Sequence, residues 1–441
     1  MYDPLKDSSP GCDDAYPKHY WLPEKLTPDF TSLSEDKNAD VVVIGSGFTG
    51  LVCAYYLANE YDRNVILLEA NQLAWGASGR NAGFVLKSSG RLSLGDIHRK
   101  WGKDIARGMY DEYQGGVNLV NELISKMDID CEVMRKGYLK IAHKPSLRSS
   151  LLQQADFLQN QFGDPVQFIE GDDLKSHINS DYAECALYYP DSFALNPMKL
   201  AQGYAELAVS AGVTIHTGSP VINISSEGGK HFVETDKAKV ECGDVVIATN
   251  GFTPKKFHKL LDNRMLPVLS SIIVTEPLSE EQLAICGMDI GLQVMDTREL
   301  KYYYRILPDR RILFGGRGAI QGKNANHPVF KQRLRQGLIT AFPSLSDLRI
   351  DYFWSGWVSV SIDDMPRIWS EEGIHYAAGY CGAGVSFTAQ AGKRLAQRVV
   401  NEEIPNHLPV YNSPLKTFPM AQFRRIGQWG FYQWGRFRDA I

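Results

Sequence analysis

Residues 40–50, Asp-Val-Val-Val-Ile-Gly-Ser-Gly-Phe-Thr-Gly, constrain this chain more than any other stretch. Four apolar residues, Val41 to Ile44, run into G-x-G-x-x-G. A helical spacing of apolar residues follows (Leu51, Ala54, Tyr55, Leu57, Ala58). A second apolar run, Val65 to Leu68, ends in Glu69. The order is strand, glycine turn, helix, strand, acid. Glu69 stands 19 residues beyond Gly50 (69 − 50), close to the ~20 at which an acid meets a ribose hydroxyl in dinucleotide-binding units. Gly45 permits the sharp turn out of the strand, Gly47 lets a pyrophosphate approach the backbone, and Gly50 lets the helix lie close to the sheet. The helix then offers its first free N–H groups and the positive end of its dipole to phosphate. Ser46, Phe48 and Thr49 inside the motif, and Ala70 beside Glu69, belong to the same predicted cofactor site.

The rest of the chain sets limits. Its 441 residues suit two or three domains, and 44% hydrophobic against 22% charged residues gives a large core. A net charge of −4 provides no electrostatic footprint for nucleic acid. Seven cysteines occur without any C-x-x-C pair. With no signal-like segment ahead of the first strand, they read as thiols of a reducing cytoplasm. No apolar run reaches the ~20 residues needed to span a bilayer, and no metal-ligand spacing is present.

The patterning predicts an N-terminal extension over 1–38, with an aromatic cluster from Tyr16 to Trp21 packed on the body. Helices are expected at 101–128 and 146–162. A strand-helix unit is expected at 196–224, and a hairpin at 221–225 and 230–235. Strands are expected at 244–248, 265–275, 301–306 and 311–316, and a strand-glycine-helix unit at 374–400. The predicted fold class is α/β: a discontinuous Rossmann-like domain (39–95, 191–254 and 351–410) with an inserted α+β substrate domain on a mostly antiparallel sheet (96–190 and 255–350). The tail, 411–441, is aromatic and basic. Packing across its own domain or an oligomer partner is the favoured reading, and contact with a membrane surface the lesser one.

Three further segments point from a dinucleotide to a flavin. Gly76-Ala77-Ser78-Gly79-Arg80-Asn81-Ala82-Gly83 combines small residues with a guanidinium able to wrap a pyrophosphate and a ring edge. Val245 to Gly251 is a buried strand ending in small residues, Thr249 and Gly251 among them. Gly379 to Gly384 precedes another helix, whose N-terminus suits negative charge on a reduced flavin.

With these pieces, and with Tyr303-Tyr304-Arg305, Leu313-Phe314-Gly315-Gly316, Trp354-Ser355-Gly356-Trp357 and Gly379-Tyr380-Cys381-Gly382-Ala383-Gly384-Val385, the chain resembles the D-amino-acid-oxidase-type flavoproteins. Within them it looks most like the gamma-glutamylputrescine oxidases of bacterial putrescine breakdown. The resemblance runs from about residue 16 to the C-terminus. It implies FAD, hydride transfer from an amine-bearing carbon, imine hydrolysis to an aldehyde, and O2 as acceptor. It also implies that the backbone of Val221 meets adenine, that Ala77, Ser78, Arg80, Asn81 and Gly83 line the path to the flavin, and that Gly382, Gly384, Val385 and Ser386 sit at its pyrimidine end. No cysteine lies between 354 and 370 and no histidine within 76–84, where some relatives attach flavin, so the FAD is expected to be noncovalent.

No catalytic residue is assigned. The substrate-pocket candidates are Tyr302, Tyr304, Arg305, Trp354 and Trp357. Strand alternation puts Tyr302 and Tyr304 on one face and Tyr303 and Arg305 on the other. A tyrosine ring would stack an alkylamine and Arg305 would hold a carboxylate. An amino-acid oxidase or dehydrogenase of the same family, an NAD-linked dehydrogenase and a non-catalytic flavoprotein are the alternatives.

Overall fold

Val41, Val43, Val65 and Leu67 pack into one hydrophobic cluster, while Val42, Ile44, Ile66 and Leu68 pack into another. Strands apolar on both faces must be covered on both, and this places them inside a sheet with a layer on each side. In the computed structural model, which describes residues 1–8, 16–24, 29–128 and 130–441, they form part of a six-stranded sheet. Its order is Arg367–Glu371, Ile374–Ala378, Asp244–Ile247, Val41–Ile44, Val65–Leu68 and Thr214–His216. All pairs are parallel except the edge pair of Arg367–Glu371 with Ile374–Ala378.

One face carries the helices Phe48–Asn59, Pro197–Ser210 and Phe387–Val399. The other packs on a four-stranded sheet that contains the expected hairpin, Asn223–Glu227 and Lys230–Glu234. Gly228 and Gly229 close it with φ of +60° and +80°, the two positive angles a tight two-residue hairpin turn requires.

The second domain is built on an eight-stranded sheet, in the order Ile350–Val360, Leu266–Thr275, Ile312–Arg317, Tyr303–Ile306, Gln293–Asp296, Tyr138–Ile141, Cys185–Tyr189 and Gln167–Glu170. Every pair is antiparallel except Gln293–Asp296 with Tyr138–Ile141. The architecture is therefore α/β, a Rossmann-like domain with a substrate domain on a mostly antiparallel sheet.

The structure moves two of the expected boundaries. Residues 351–360 were grouped with the dinucleotide domain, but the strand Ile350–Val360 pairs along the whole of Leu266–Thr275 and forms the edge of the second sheet. Residues 103–124 were grouped with the insert, yet the helix Lys103–Ile124 packs on Phe387–Val399 and Pro197–Ser210, burying Met109, Tyr113, Val117 and Val120 in the dinucleotide-domain core. The helix expected from residue 101 is broken at Gly102, whose φ of +90° ends Leu94–Trp101 before Lys103–Ile124 begins.

In the N-terminal segment, Trp21 Nε1 donates to the carbonyl of Asn81 at 2.9 Å and the Tyr16 hydroxyl donates to that of Leu73. Cys12 lies outside the described residues. The other six cysteines are buried and free. Among the described residues, no helix is long and apolar enough to cross a membrane.

Candidate active site

The glycine turn has the geometry its sequence demands. Gly45 adopts φ +106°, and a Cβ there would meet the Ala248 carbonyl oxygen at 3.1 Å. A Cβ on Gly50 would stand 2.0 Å from the Gly45 carbonyl oxygen, so the helix approaches the strand at a distance only glycine allows. Gly47 is the N-cap of Phe48–Asn59 and has no side chain of its own to cap it, while the Ser78 hydroxyl accepts from the Phe48 N–H at 3.0 Å. Glu69 accepts from the Ser46 N–H at 2.8 Å and the Ser46 hydroxyl at 2.7 Å through one oxygen, and from the Asn71 N–H at 3.0 Å through the other. A carboxylate offers about four acceptor positions, so roughly one remains for an incoming hydroxyl.

A long cleft runs from Glu69 and Val221 past this helix end. Of the residues assigned to the cofactor from the sequence, Gly45, Gly47, Phe48, Thr49, Glu69, Ala70, Gly76, Ala77, Ser78, Asn81, Val221, Thr249, Gly251, Gly382, Gly384 and Val385 line it. Arg80, Ala82 and Ser386 line a second cavity that opens from the first through shared walls at Ala77, Asn81, Val358, Gly382, Gly384 and Val385. Each cavity, with its open mouth, encloses about 1200 Å³. Ser46, Gly50 and Gly83 do not line either. Ser46 is fully buried and orients Glu69, Gly50 seats the helix, and a Cβ on Gly83 would stand 2.0 Å from the Leu195 carbonyl oxygen.

Residues that sequence patterning missed complete the first cleft. Trp75 and Phe252 meet edge to face at 5.4 Å, and the Arg80 guanidinium lies 4.4 Å from the Trp75 ring centre. Tyr380 hydrogen-bonds Thr49 hydroxyl to hydroxyl at 2.9 Å, tying the two glycine-rich turns together.

The second cavity has an aromatic and aliphatic wall of Phe84, Leu86, Ile272, Met295 and Tyr303, and five charged groups, Arg80 on the side shared with the first cleft and Arg91, Lys301, Arg317 and Glu299 beyond it. Arg91 lies 3.9 Å from Glu299 and 3.8 Å from Asp364. Burial first, then the charges of Arg91 and Arg317, hold the Lys301 ammonium below the ordinary lysine range. Burial likewise raises Tyr303, which stays a neutral phenol. Burial pushes the Cys381 thiol up to about 11, so it is not a thiolate nucleophile at neutral pH.

None of the five expected substrate-pocket residues lines this cavity. Tyr304 is fully buried on the opposite face of the sheet, stacked on Phe314 and edge-on to Phe342. Tyr302 shares that face, against Phe314 and beneath Gly337 of the helix Pro328–Ala341. Arg305 faces the dinucleotide domain but is sealed behind Gly83. Its Nη2 donates to the Leu195 carbonyl at 2.7 Å, its guanidinium sits 5.2 Å from the Trp21 ring centre, and burial lowers it to about 10. Trp354 and Trp357 are buried, their indole N–H groups donating to the carbonyls of Arg80 and Tyr2 at 2.9 and 2.8 Å. Of the three consecutive tyrosines, it is Tyr303 that reaches the cavity. Alternation offered the right pair of faces, but the choice between them needed the helix Pro328–Ala341, which covers Tyr302 and Tyr304.

The FAD dependent oxidoreductase family matches residues 40–398. Gamma-glutamylputrescine oxidoreductase of Escherichia coli K12 is 31% identical over 399 residues, covering 90% of this chain and 92% of that protein. A Haemophilus influenzae protein described as "Probable oxidoreductase OrdL" is 31% identical over 379 residues, covering 85% of this chain and 86% of its own length. Among solved structures, glycine oxidase from Geobacillus kaustophilus superposes with a TM-score of 0.71 at 19% identity, over 87% of this chain and 100% of that one. The glycine turn, the acid at Glu69 and the cleft between them thus stand in a chain that belongs to the FAD dependent oxidoreductase family and takes FAD as its cofactor.

Proposed function

We propose that this enzyme oxidises the C–N bond of an N-substituted amine that also carries a carboxylate, with gamma-glutamylputrescine the leading candidate, O2 the acceptor and the FAD held noncovalently. The observation that carries this reading is the second cavity. It opens from the residues that end the dinucleotide cleft, and its apolar wall leads to Arg91, Lys301 and Arg317 with one facing acid, Glu299. An alkyl chain suits the wall and an anionic head suits the cations. The name of the Escherichia coli relative supports the same choice.

In this reading Glu69 accepts from the ribose of the adenosine, and the helix end at Gly47 to Thr49 faces the pyrophosphate. The turn Gly382 to Ser386, at the start of Phe387–Val399, faces the flavin pyrimidine with its dipole. When bound, FAD would supply the hydride acceptor for the amine-bearing carbon and the route by which the electron pair reaches O2, with hydrogen peroxide as product. The protein's part is to bind the amine neutral, orient its C–H and exclude water. Phe84, Ile272 and Met295 make the site apolar, which favours the uncharged amine. The iminium left on the substrate loses its proton to become the imine, which adds water and separates into an aldehyde and a free amine.

The second reading is an amino-acid oxidase or dehydrogenase, which the same cations favour through the amino-acid carboxylate. An anaerobic bleaching screen over polyamines, their glutamyl conjugates, glycine, sarcosine and D-amino acids separates the two. Fastest bleaching by a glutamyl-polyamine, then rapid recovery of colour with peroxide on admitting air, is the expected result. Fastest bleaching by a small amino acid overturns the substrate, and slow recovery in air overturns O2 as the acceptor.

A further inference from the structure

The C-terminal helix, Arg424–Ala440, is packed inside out. Its inward face, at spacings of three and four, is Arg425, Gln428, Tyr432, Gly435 and Asp439. Arg425 donates to the Pro267 carbonyl at 2.9 Å and to Asp3 at 2.8 Å. Gln428 donates to the Tyr432 hydroxyl at 3.0 Å, and Asp439 accepts from the N–H groups of Glu299 and Leu300 at 2.7 and 3.1 Å. Arg425 and Asp439, near the two ends, thus hold the helix to the body. The apolar ones point away. Phe423, Ile426, Trp429, Trp434, Phe437 and Ile441 are each between 45% and 67% exposed, and their spacing puts them along one side of the helix. A surface helix normally buries that side, and an exposed contiguous apolar patch marks a contact surface.

The charge beside the stripe identifies what it contacts. Arg436 and Arg438 are exposed at its margin, while the helix's single acidic side chain, Asp439, is turned inward. Two copies of this helix joined through the stripe would bring arginines together with no acid opposite. An anionic lipid surface accepts the aromatic residues at its acyl boundary and pairs its headgroups with the arginines. Tryptophan, present twice in the stripe, suits the interface between apolar and aqueous phases. We propose that the helix Arg424–Ala440 docks the protein on the surface of an anionic bilayer, lying in the interface without crossing it. The docking helix is adjacent to the active site through its inward side, since Asp439 holds the loop Glu299–Lys301 that lines the second cavity, and the guanidinium of Arg91, a lining residue, sits 5.1 Å from the Phe431 ring centre.

Co-sedimentation of the FAD-loaded protein with vesicles tests this. One set is phosphatidylcholine alone, and the other contains about one third phosphatidylglycerol. Binding to the mixed vesicles is expected to be at least about tenfold tighter than to phosphatidylcholine and to weaken when salt is raised to about 0.5 M. The paired variants Trp429→Gln/Phe437→Gln and Arg436→Glu/Arg438→Glu change only outward side chains. Each is expected to lose about tenfold or more in vesicle binding while keeping its flavin, its melting temperature and its rate of anaerobic bleaching in solution. Wild-type protein that stays in the supernatant with both vesicle types overturns the proposal, as do paired variants that bind like wild type. So does a wild-type dimer that Trp429→Gln/Phe437→Gln turns into a monomer without any vesicle binding by either.

Discussion

The hydroxyls of Tyr303 and Ser270 lie 2.7 Å apart on the wall of the second cavity. Ser270 also donates to the Gly316 carbonyl at 3.1 Å, which uses its only proton. The Tyr303 hydroxyl therefore donates to Ser270, and its own lone pairs are left to accept from a substrate N–H. Because burial keeps Tyr303 a neutral phenol, its role under the proposed function is to orient the amine, not to remove a proton from it. Tyr303→Phe should retain the ring and lose one acceptor. A neutral hydrogen bond contributes about 0.5–1.5 kcal/mol, so the substrate concentration for half-maximal bleaching should rise about two- to tenfold. Unchanged half-saturation would remove Tyr303 from substrate contact.

Arg305 and Arg317 should respond oppositely to the same substitution. Arg305 is sealed between the domains with the Leu195 carbonyl as its acceptor, whereas Arg317 lines the cavity. Arg317→Met should weaken carboxylate-bearing substrates by about tenfold or more relative to plain amines, the loss expected for a charge-assisted hydrogen bond. Arg305→Met should leave that ratio within about twofold and alter only stability, by a small amount of either sign. Removing a buried charge is favourable, while orphaning the Leu195 carbonyl costs about 1–3 kcal/mol. Bleaching kinetics on matched amines with and without a carboxylate, with melting curves beside them, separate the two roles. A selective loss in Arg305→Met would restore the carboxylate role that its place in the sequence first suggested.

Under the proposed function Lys301 should give substrate preference a pH dependence whose sign follows from its surroundings. Its ammonium is held below the ordinary lysine value near 10.4 by burial and by Arg91 and Arg317. The protonated form attracts the carboxylate, so that attraction is complete at low pH and is lost as pH rises through the lowered pKa. The preference for carboxylate-bearing over plain amines should therefore fall with rising pH, starting before an ordinary lysine titrates. Taking the ratio of two substrates cancels the titration of the amine itself. Lys301→Arg, charged throughout, should flatten the profile. A ratio equally pH-dependent in Lys301→Arg would show that another group titrates.

What was legible in the sequence divides along a physical line. The dinucleotide end depends on short-range chemistry, and most of the residues named for it do line the cleft: a turn that only glycine can make, an acid at fixed spacing, and a helix end. The substrate end depends on which face of one strand a distant helix covers. Tyr302 and Tyr304 differ from Tyr303 only by parity, and all three are aromatic, so the pattern carried no inside or outside. Lys301, Glu299 and Arg91 come from loops, where no periodicity marks a lining residue. Residues 351–360 were grouped with the dinucleotide domain because the pairing partner of Ile350–Val360, the strand Leu266–Thr275, lies some eighty residues earlier. The final helix was recognised as aromatic and basic, but its reversed orientation became apparent only from the partners of Arg425 and Asp439.

The opening glycines allow binding and folding to be separated within one turn. A Cβ on Gly50 would fall 2.0 Å from the Gly45 carbonyl oxygen, a backbone atom that cannot rotate away. Gly50→Ala must push the helix Phe48–Asn59 off the strand Val41–Ile44, at about 3 kcal/mol or more. A Cβ on Gly47 would meet only the Ser78 hydroxyl, at 3.0 Å, and a serine side chain can turn aside. Gly47 nevertheless lines the cleft, and Ser78 accepts from the Phe48 N–H at 3.0 Å at the start of the helix. The added methyl therefore occupies the path of the pyrophosphate and displaces a group beside it. Gly47→Ala should keep the melting temperature of the flavin-free protein and lose about tenfold or more in FAD affinity. Gly50→Ala should lower that melting temperature whether or not FAD is present. If Gly47→Ala retains full flavin while Gly50→Ala melts normally, the close approaches at this turn do not govern the site.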